Sequence, residues 1–352
     1  MQGENPRDAV HEDLYRGAVQ VPASATPVMD ADEEVFLLYT NLAARQTADG
    51  SSSFRGLGHI DSHKDMLTIS LKIEGPSRGQ SEDEGGIPVV HKSHASRRPR
   101  RKVQGRKHDV SETLEVEIFQ DKTALRSRKG DTGSVVWHAS VDFAEVILQQ
   151  LRNRSPHGFF TPEGLAQAHV VELGAGTGLL GVLLSPFVHQ YTITDIEDLV
   201  PLIRKNVTRN LPIPLTSPPE PKHSPPKSPI PNVVTMALDW IQLHNAPASL
   251  RPRLVPSDPA DILLVVDCIY HPSLLPAMLT TIDYLAVPDK TAVVVVVELR
   301  AEDVIREFLQ GWLDKSSSQG EWEIWSVGEL LEGPYAVWVG WKTALSQSER
   351  QQ

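Results

Sequence analysis

From residue 138 to residue 341, short runs of apolar residues alternate with stripes at helical spacing. Residues 138–152 place Val141, Ala144, Val146, Ile147, Leu148 and Leu151 near one helical face, which predicts an amphipathic helix. Beyond it the pattern predicts strand (168–174), helix (179–187), strand (189–195), helix (199–210), strand (232–240) and strand (260–267). A helix (274–286), a strand (291–299) and a helix (303–313) follow. Strands alternating with helices predict a parallel sheet covered by helices on both faces, and the valine run 293–297 suits a strand buried on both sides. Two last strands, 321–327 and 335–341, are close enough to pair as an antiparallel hairpin at one sheet edge.

Upstream the pattern is sparser. Residues 1–34 are polar with mixed charge and are expected to be extended or disordered, and 34–42 form an apolar helix or strand that packs on the main body. Leu67, Ile69, Leu71 and Ile73 alternate along 66–74, as do Leu114, Val116 and Ile118 along 114–119, which predicts a half-buried hairpin. Its connection, 75–113, is rich in Gly, Ser and charge and is expected to be disordered. A second insertion, 211–231, carries nine prolines in 21 residues. Proline has no backbone donor, so this segment is expected to be a surface loop rather than a central strand or helix. The expected division is an N-terminal extension (1–65), the interrupted hairpin (66–119) and an α/β domain (120–352).

Composition narrows the class. The chain has 352 residues, 40% hydrophobic, with 34 Lys+Arg against 45 Asp+Glu and a net charge of −11. Eight of the basic residues lie in 91–108, so the remainder carries 26 basic against 45 acidic residues. A globally basic nucleic-acid binder is disfavoured, and nucleic-acid contact is left to the basic insertion. The single cysteine, Cys268, excludes a disulfide framework and a cysteine-built zinc site. No apolar stretch reaches the ~18 residues of a membrane span, and the charged first residues do not resemble a secretory signal. The expectation is a soluble, cytoplasmic monomer.

The chemistry concentrates at VVELGAGTGLLG (170–181), where a buried strand delivers Gly174, Gly176 and Gly178 to the start of a helix. Glycine allows a positive φ and lets the backbone approach a ligand closely, and ligands in such sheets bind at the carboxyl ends of the strands. Asp195 ends the next strand, 21 residues after Gly174, where a carboxylate can accept both hydroxyls of a ribose. A dinucleotide site would show G-x-G-x-x-G, whereas here the spacing is G-x-G-x-G and Leu179 replaces the third glycine. Glu172 beside the loop is expected to oppose phosphate and to suit a cationic adenosine ligand, S-adenosyl-L-methionine.

E-L-G-A-G-T-G-L-L-G followed by T-D resembles a seven-stranded class I methyltransferase dependent on S-adenosyl-L-methionine. W-H-A-S at 137–140, L-D-W at 238–240 and D-C-I-Y at 267–270 resemble the protein-lysine methyltransferases whose signature is D-x-x-Y. Among these the chain is most similar to the fungal ribosomal lysine N-methyltransferase five family, well over 110–342 and loosely over 12–74. The resemblance implies a Rossmann-like sheet with helices on both faces plus an N-terminal β-hairpin extension. It also implies that Gly174, Ala175 and Gly176 line the methionine and ribose portions of the cofactor, and that Asp195 holds the ribose. Trp137 would pack over the cofactor, Trp240 against adenine, and the backbone at Cys268 close by.

Asp267 and Tyr270 would act on the substrate. A free lysine has a pKa of ~10.4 and must lose a proton before it attacks a methyl group. Asp267 would accept a hydrogen bond from the amine and aim its lone pair, while Tyr270 shapes the mouth. The other reading of Asp267 is a cap for the helix after Pro272. Asp-Cys-Ile-Tyr stands where enzymes acting on planar nitrogens present N-P-P-Y, which favours an aliphatic amine. His59 and His63, four apart around Asp61, are flanked by Gly56, Gly58 and Ser62 and belong to a loop rather than a metal site. The resemblance implies a large-subunit ribosomal protein of the L1 kind as substrate. The alternatives are a methyltransferase for another protein or a small molecule, and a non-catalytic module that keeps the fold.

Overall fold

An eight-stranded sheet lies at the centre of the computed structural model, which describes residues 14–49, 58–75, 112–121, 133–211, 232–315 and 320–344. The chain opens with β1 (Leu14–Arg16), β2 (Val19–Val21), β3 (Thr26–Pro27) and α1 (Ala31–Asp49), followed by β4 (Met66–Ile73) and β5 (Glu112–Phe119). Next come α2 (His138–Asn153), α3 (Pro162–Leu165), β6 (His169–Leu173), α4 (Leu179–Leu184), β7 (Gln190–Asp195) and α5 (Val200–Asn210). The remainder is β8 (Val233–Ala237), α6 (Trp240–Asn245), β9 (Ile262–Val266), α7 (Leu275–Leu285), β10 (Ala292–Glu298), α8 (Glu302–Leu313), β11 (Glu321–Ser326) and β12 (Tyr335–Thr343).

In space the strands run β3-β11-β12-β10-β9-β6-β7-β8. The five from β10 to β8 are mutually parallel, and β12 is antiparallel to both of its neighbours. The chain moves outward from β6 to β8 and then returns to the other side of β6 as β9, which opens a crevice at the carboxyl ends of β6 and β9. Side-chain alternation splits these strands between two cores. Val170, Leu264 and Val296 pack with Phe143, Ile147 and Ile203 of α2 and α5, whereas Val171, Val265 and Val295 pack with Met278, Ile282 and Phe308 of α7 and α8. Burial on both faces is why β10 reads as solid valine.

The N-terminal extension joins this sheet. β3 pairs with Trp325 and Ser326 of β11, and Pro27 is tolerated there because β3 is an edge strand. Glu34 of α1 is buried and accepts from Ser326 Oγ at 2.6 Å and Trp338 Nε1 at 3.0 Å. Residues 14–34, expected to be extended or disordered, therefore carry ordered strands and the start of a helix. Strands of two or three residues are too short to show periodicity in a sequence.

β4 and β5 pair antiparallel, with Leu67, Ile69, Leu71 and Ile73 turned into the core beside α2. Leu114 departs from its expected burial and is 38% exposed, toward the end of the hairpin where the connection joins it. The connection at 76–111 and the proline-rich stretch at 212–231 lie outside the described residues.

The free edge of β5 is satisfied by a helix instead of a strand. Asn206 Oδ1 accepts from Phe119 N at 2.7 Å, while its Nδ2 donates to Phe119 O at 3.0 Å and to Thr177 O at 2.9 Å. One turn later Asn210 repeats the reciprocal pair with Glu117, at 2.9 and 2.8 Å. The spacing of four residues puts both amides on one side of α5. Asn206→Ala should orphan Phe119 and Thr177 and lower stability by about 1–3 kcal/mol. Denaturant unfolding would measure the loss, and faster hydrogen exchange at the Phe119 amide would place it; unchanged exchange there would show that the amide does not hold the hairpin.

Candidate active site

The crevice floor is the turn from β6 to α4. Gly174, Gly176 and Gly178 all lie in the left-handed region, at φ +67°, +59° and +76°. At Gly174 a Cβ would lie 2.7 Å from Cys268 Sγ and 3.0 Å from the Trp240 ring, and at Gly176 it would lie 2.7 Å from the Gly133 carbonyl oxygen. Any side chain would thus close the space over the turn as well as strain it.

Asp195, at the end of β7, is held against this turn. Its Oδ2 accepts from Gly176 N and its Oδ1 from Ile196 N, both at 2.7 Å. The carboxylate thus stands between the glycine turn and the end of β7, on the lining of the crevice. The strand before Trp240 ends earlier than expected, at Ala237. Asp239 stops it by capping α6, accepting from Ile241 N at 2.8 Å and Gln242 N at 3.1 Å. Trp240 becomes the first helical residue, and its Nε1 is buried without a hydrogen-bond partner.

A cavity of about 370 Å³ fills this space. Gly174, Ala175, Gly176, Asp195, Trp240 and Cys268 line it together with Trp137, Asp267 and Tyr270. The structure thus brings all nine expected site residues to one cavity. Cys268 is buried, with Sγ 3.3 Å from the Leu173 carbonyl. Burial raises its thiol well above the ordinary range, and Asp195 and Asp267 add to the effect, so it stays protonated and is no nucleophile.

Two expectations change. Glu172 does not border the cavity; its side chain is fully buried and accepts from Tyr191 Oη at 3.0 Å. Burial pushes its pKa up to about 8, against the hydrogen bond from Tyr191. It is therefore largely neutral at pH 7 and supplies no charge to repel phosphate. Asp267, expected to present its carboxylate to an amine, is turned to Arg300 instead. Arg300 Nη1 donates to Oδ1 at 3.0 Å and Nη2 to Oδ2 at 2.6 Å, while Glu298 N donates to Oδ1 at 3.3 Å. The Asp267 side chain is 2% exposed. Buried this far, a carboxylate needs a paired cation, and Arg300, directly after β10, is the neighbour that reaches it. Asp267 caps no helix: His271 Nδ1 accepts from Ser273 N at 3.2 Å in that role. The positive φ of Asp267, +57°, costs a non-glycine residue energy and marks a constrained position.

Arg300 Nη2 also pairs with Glu298 Oε2 at 2.6 Å, and the guanidinium lies 4.9 Å from the Trp137 ring centroid. Sequence reasoning missed Arg300 and Glu298, although E-L-R at the end of the valine run was a visible signal. The approach of 58–60 to the site was also missed. His59 bridges to Trp137, with ring centroids 6.0 Å apart, and a Cβ on Gly58 would overlap Arg300 Nη2. Among the described residues no group of His, Cys, Asp and Glu is placed to hold a metal ion.

The lysine methyltransferase family matches residues 118–312, more than half of the chain. The chain belongs to that family. Lysine methyltransferase relatives include ribosomal lysine N-methyltransferase 5 of Eremothecium gossypii, 30% identical over 158 residues, which cover 40% of this chain and 48% of that protein. The Candida glabrata protein of the same name is 22% identical over 330 residues, 80% of this chain and 88% of its own length. A Schizosaccharomyces pombe protein named diaminohydroxyphosphoribosylamino-pyrimidine deaminase is 29% identical over 160 residues, 45% of this chain and 32% of that one. The chain thus spans a third to a half of the length of two of these relatives.

The proton on Glu172 gives the fold a pH signature. An exposed glutamate ionises near 4.5 and this one near about 8, so its contribution to stability is complete below about 4.5 and is lost as pH rises through about 8. Glu172→Gln keeps the partner for Tyr191 and removes the titration. Its melting temperature should gain on the wild type progressively from pH 5 to pH 8; parallel curves would mean that Glu172 is ionised in the fold.

Proposed function

We propose that this protein transfers a methyl group from S-adenosyl-L-methionine to the side-chain amine of a protein lysine, acting on a basic large-subunit ribosomal protein of the L1 kind in the cytoplasm. The observation that carries the reading is the crevice in which Asp195, the Gly174–Gly176 turn and Trp240 line one cavity. These groups fit an adenosine ligand: Asp195 for the ribose hydroxyls, the Gly174–Gly176 turn beside it, and Trp240 as an apolar wall. When bound, S-adenosyl-L-methionine supplies a methyl group activated on a sulfonium.

The chain's own residues align and desolvate the amine. An in-line attack needs position more than a strong base. The lysine must arrive neutral, which an apolar wall favours over its charged form. Trp137 and Tyr270 line the cavity with Asp267. Asp267, held by Arg300, acts through its charge and by fixing the turn that carries Tyr270.

The ribosomal substrate draws support from the names of the two yeast relatives and from the acidic remainder of the chain, which complements a basic protein. The deaminase name does not carry over: zinc deaminases of nucleobases hold the metal with at least two cysteines, and this chain has one.

The test is transfer of radiolabelled methyl to unmethylated large-subunit ribosomal proteins, resolved on a gel, with calorimetry for cofactor binding. One labelled band in the L1 size range is expected. Asp195→Ala should weaken S-adenosyl-L-methionine binding by about tenfold or more, the loss of one or two hydrogen bonds to a charged acceptor. Asp267→Asn, which tolerates the positive φ, should weaken binding by less than Asp195→Ala does and cut turnover by about a hundredfold. Label on other proteins only would discard the ribosomal substrate, and binding without any labelling would discard protein methylation.

A further inference from the structure

A buried charge network stands behind the crevice wall, joined to the cavity through Asp267. Asp267, Glu298 and Arg300 come from the turn after β9, the end of β10 and the residue pair beyond it. The Asp267 and Glu298 side chains are 2% and 5% exposed, and the Arg300 side chain 26%. One guanidinium thus serves two carboxylates, each 2.6 Å from Nη2, and leaves the trio with a net charge of −1. Burial would pull the Arg300 pKa down, but Asp267 and then Glu298 more than reverse that, so the cation is secure. Its other face lies on Trp137, a wall of the cavity. The backbone at Gly58, at φ +87°, presses on the pair where no side chain would fit, and covers it from the outer side.

A surplus of one negative charge beside a crevice for cations has consequences. With both carboxylates uncovered, the wall would hold an ammonium protonated. With no surplus, the wall would lose its attraction for a sulfonium. The balance between them is set by one residue. We propose that Arg300 is a positioning residue for the transfer: it fixes the Asp267 carboxylate and cancels one of two buried negative charges, so that the target amine can shed its proton at the crevice wall.

This rests on the lysine reading above. Among the described residues the charged partners of the guanidinium are Asp267 and Glu298, with His59 edge-on to the same Trp137 ring, and Tyr270 and Asp195 in the cavity that Asp267 lines. Tyr335, opposite Glu298 in the ladder, donates to Asp142 of α2 at 2.6 Å.

Two variants of opposite sign test the inference. Arg300→Met leaves two uncovered carboxylates, and Glu298→Gln leaves the trio neutral while keeping an acceptor for Arg300. In single-turnover transfer to the ribosomal-protein substrate, the rising alkaline limb of the pH–rate profile should move up by about one pH unit in Arg300→Met and down by a similar step in Glu298→Gln. At pH 7 the first shift appears as about a tenfold slower rate that recovers at high pH. Arg300→Lys, which keeps the charge and loses the two-pronged geometry, should keep the limb in place and lower the plateau.

A second readout needs no substrate protein. The affinity ratio of S-adenosyl-L-methionine to S-adenosylhomocysteine, measured by calorimetry at pH 8.5, compares a sulfonium with a neutral thioether. It should rise severalfold in Arg300→Met and fall in Glu298→Gln. If Arg300→Met does not fold, as judged by thermal melting, Glu298→Gln carries both measurements. An unmoved limb and an unmoved ratio, with only a uniformly lower rate, would overturn the proposal and leave the trio as structural cement. Absence of any lysine labelling by the wild type, with the ratio shifting as stated, would instead refute the lysine reading and leave the charge role of Arg300 standing.

Discussion

The close approach of backbone to side chains at Gly174 is the constraint on which the site depends. The end of β6 must pass within contact of Cys268 and Trp240, which belong to the turns after β9 and β8, while Gly176 passes beside the carbonyl of Gly133. Three segments distant in sequence therefore converge on a stretch of main chain that has no Cβ to keep them away. Removing the side chains achieves two results at once. The left-handed turn becomes accessible, and the wall residues come near enough to enclose a cavity of about 370 Å³. The small buried Cys268 belongs to the same arrangement, since a bulkier residue there would meet the glycine turn first.

Around this turn the protein distributes acidic groups with different ionisation states. Glu172, Asp195 and Asp267 all come from the carboxyl ends of neighbouring parallel strands. Glu172 is sealed on the helix-covered face and keeps its proton to about pH 8. Asp195 is held by backbone N–H groups, two of them at 2.7 Å, and lines the crevice. Asp267 is matched by a guanidinium. The crevice thus presents charge where a cationic ligand lies and neutral packing behind it, although the sequence shows only acids at strand ends.

Much of the fold could be read from period alone. The helices and strands from 138 onward, the terminal antiparallel pair and the interrupted hairpin have long or alternating apolar patterns, and the structure contains all of them. The nine residues expected at a site from the glycine motif and the D-x-x-Y resemblance line one cavity. What escaped was set by contacts without a local signature. β3 is two residues long and gains its partner from Trp325 and Ser326, some three hundred positions away. The orientation of Asp267 depends on Arg300, in the next strand's turn. The neutral state of Glu172 depends on its face of the sheet, and side-chain alternation does not reveal which face a helix will seal.

The two asparagines on α5 link the β4–β5 hairpin to the glycine turn. An isolated two-stranded hairpin is marginal in water, and β5 would expose an open edge. Asn206 supplies the missing strand-like pair to Phe119 and, with the same amide, ties off Thr177 inside the glycine turn. From Phe119 the chain continues to Gln120, whose Oε1 accepts from Val136 N beside the cavity wall and whose Nε2 donates to Asp61 and Lys64 carbonyls. Hairpin, loop 58–65 and cavity wall are thus one hydrogen-bonded unit. The hairpin is therefore tied to the crevice wall through Gln120 and Val136 rather than hung beside it.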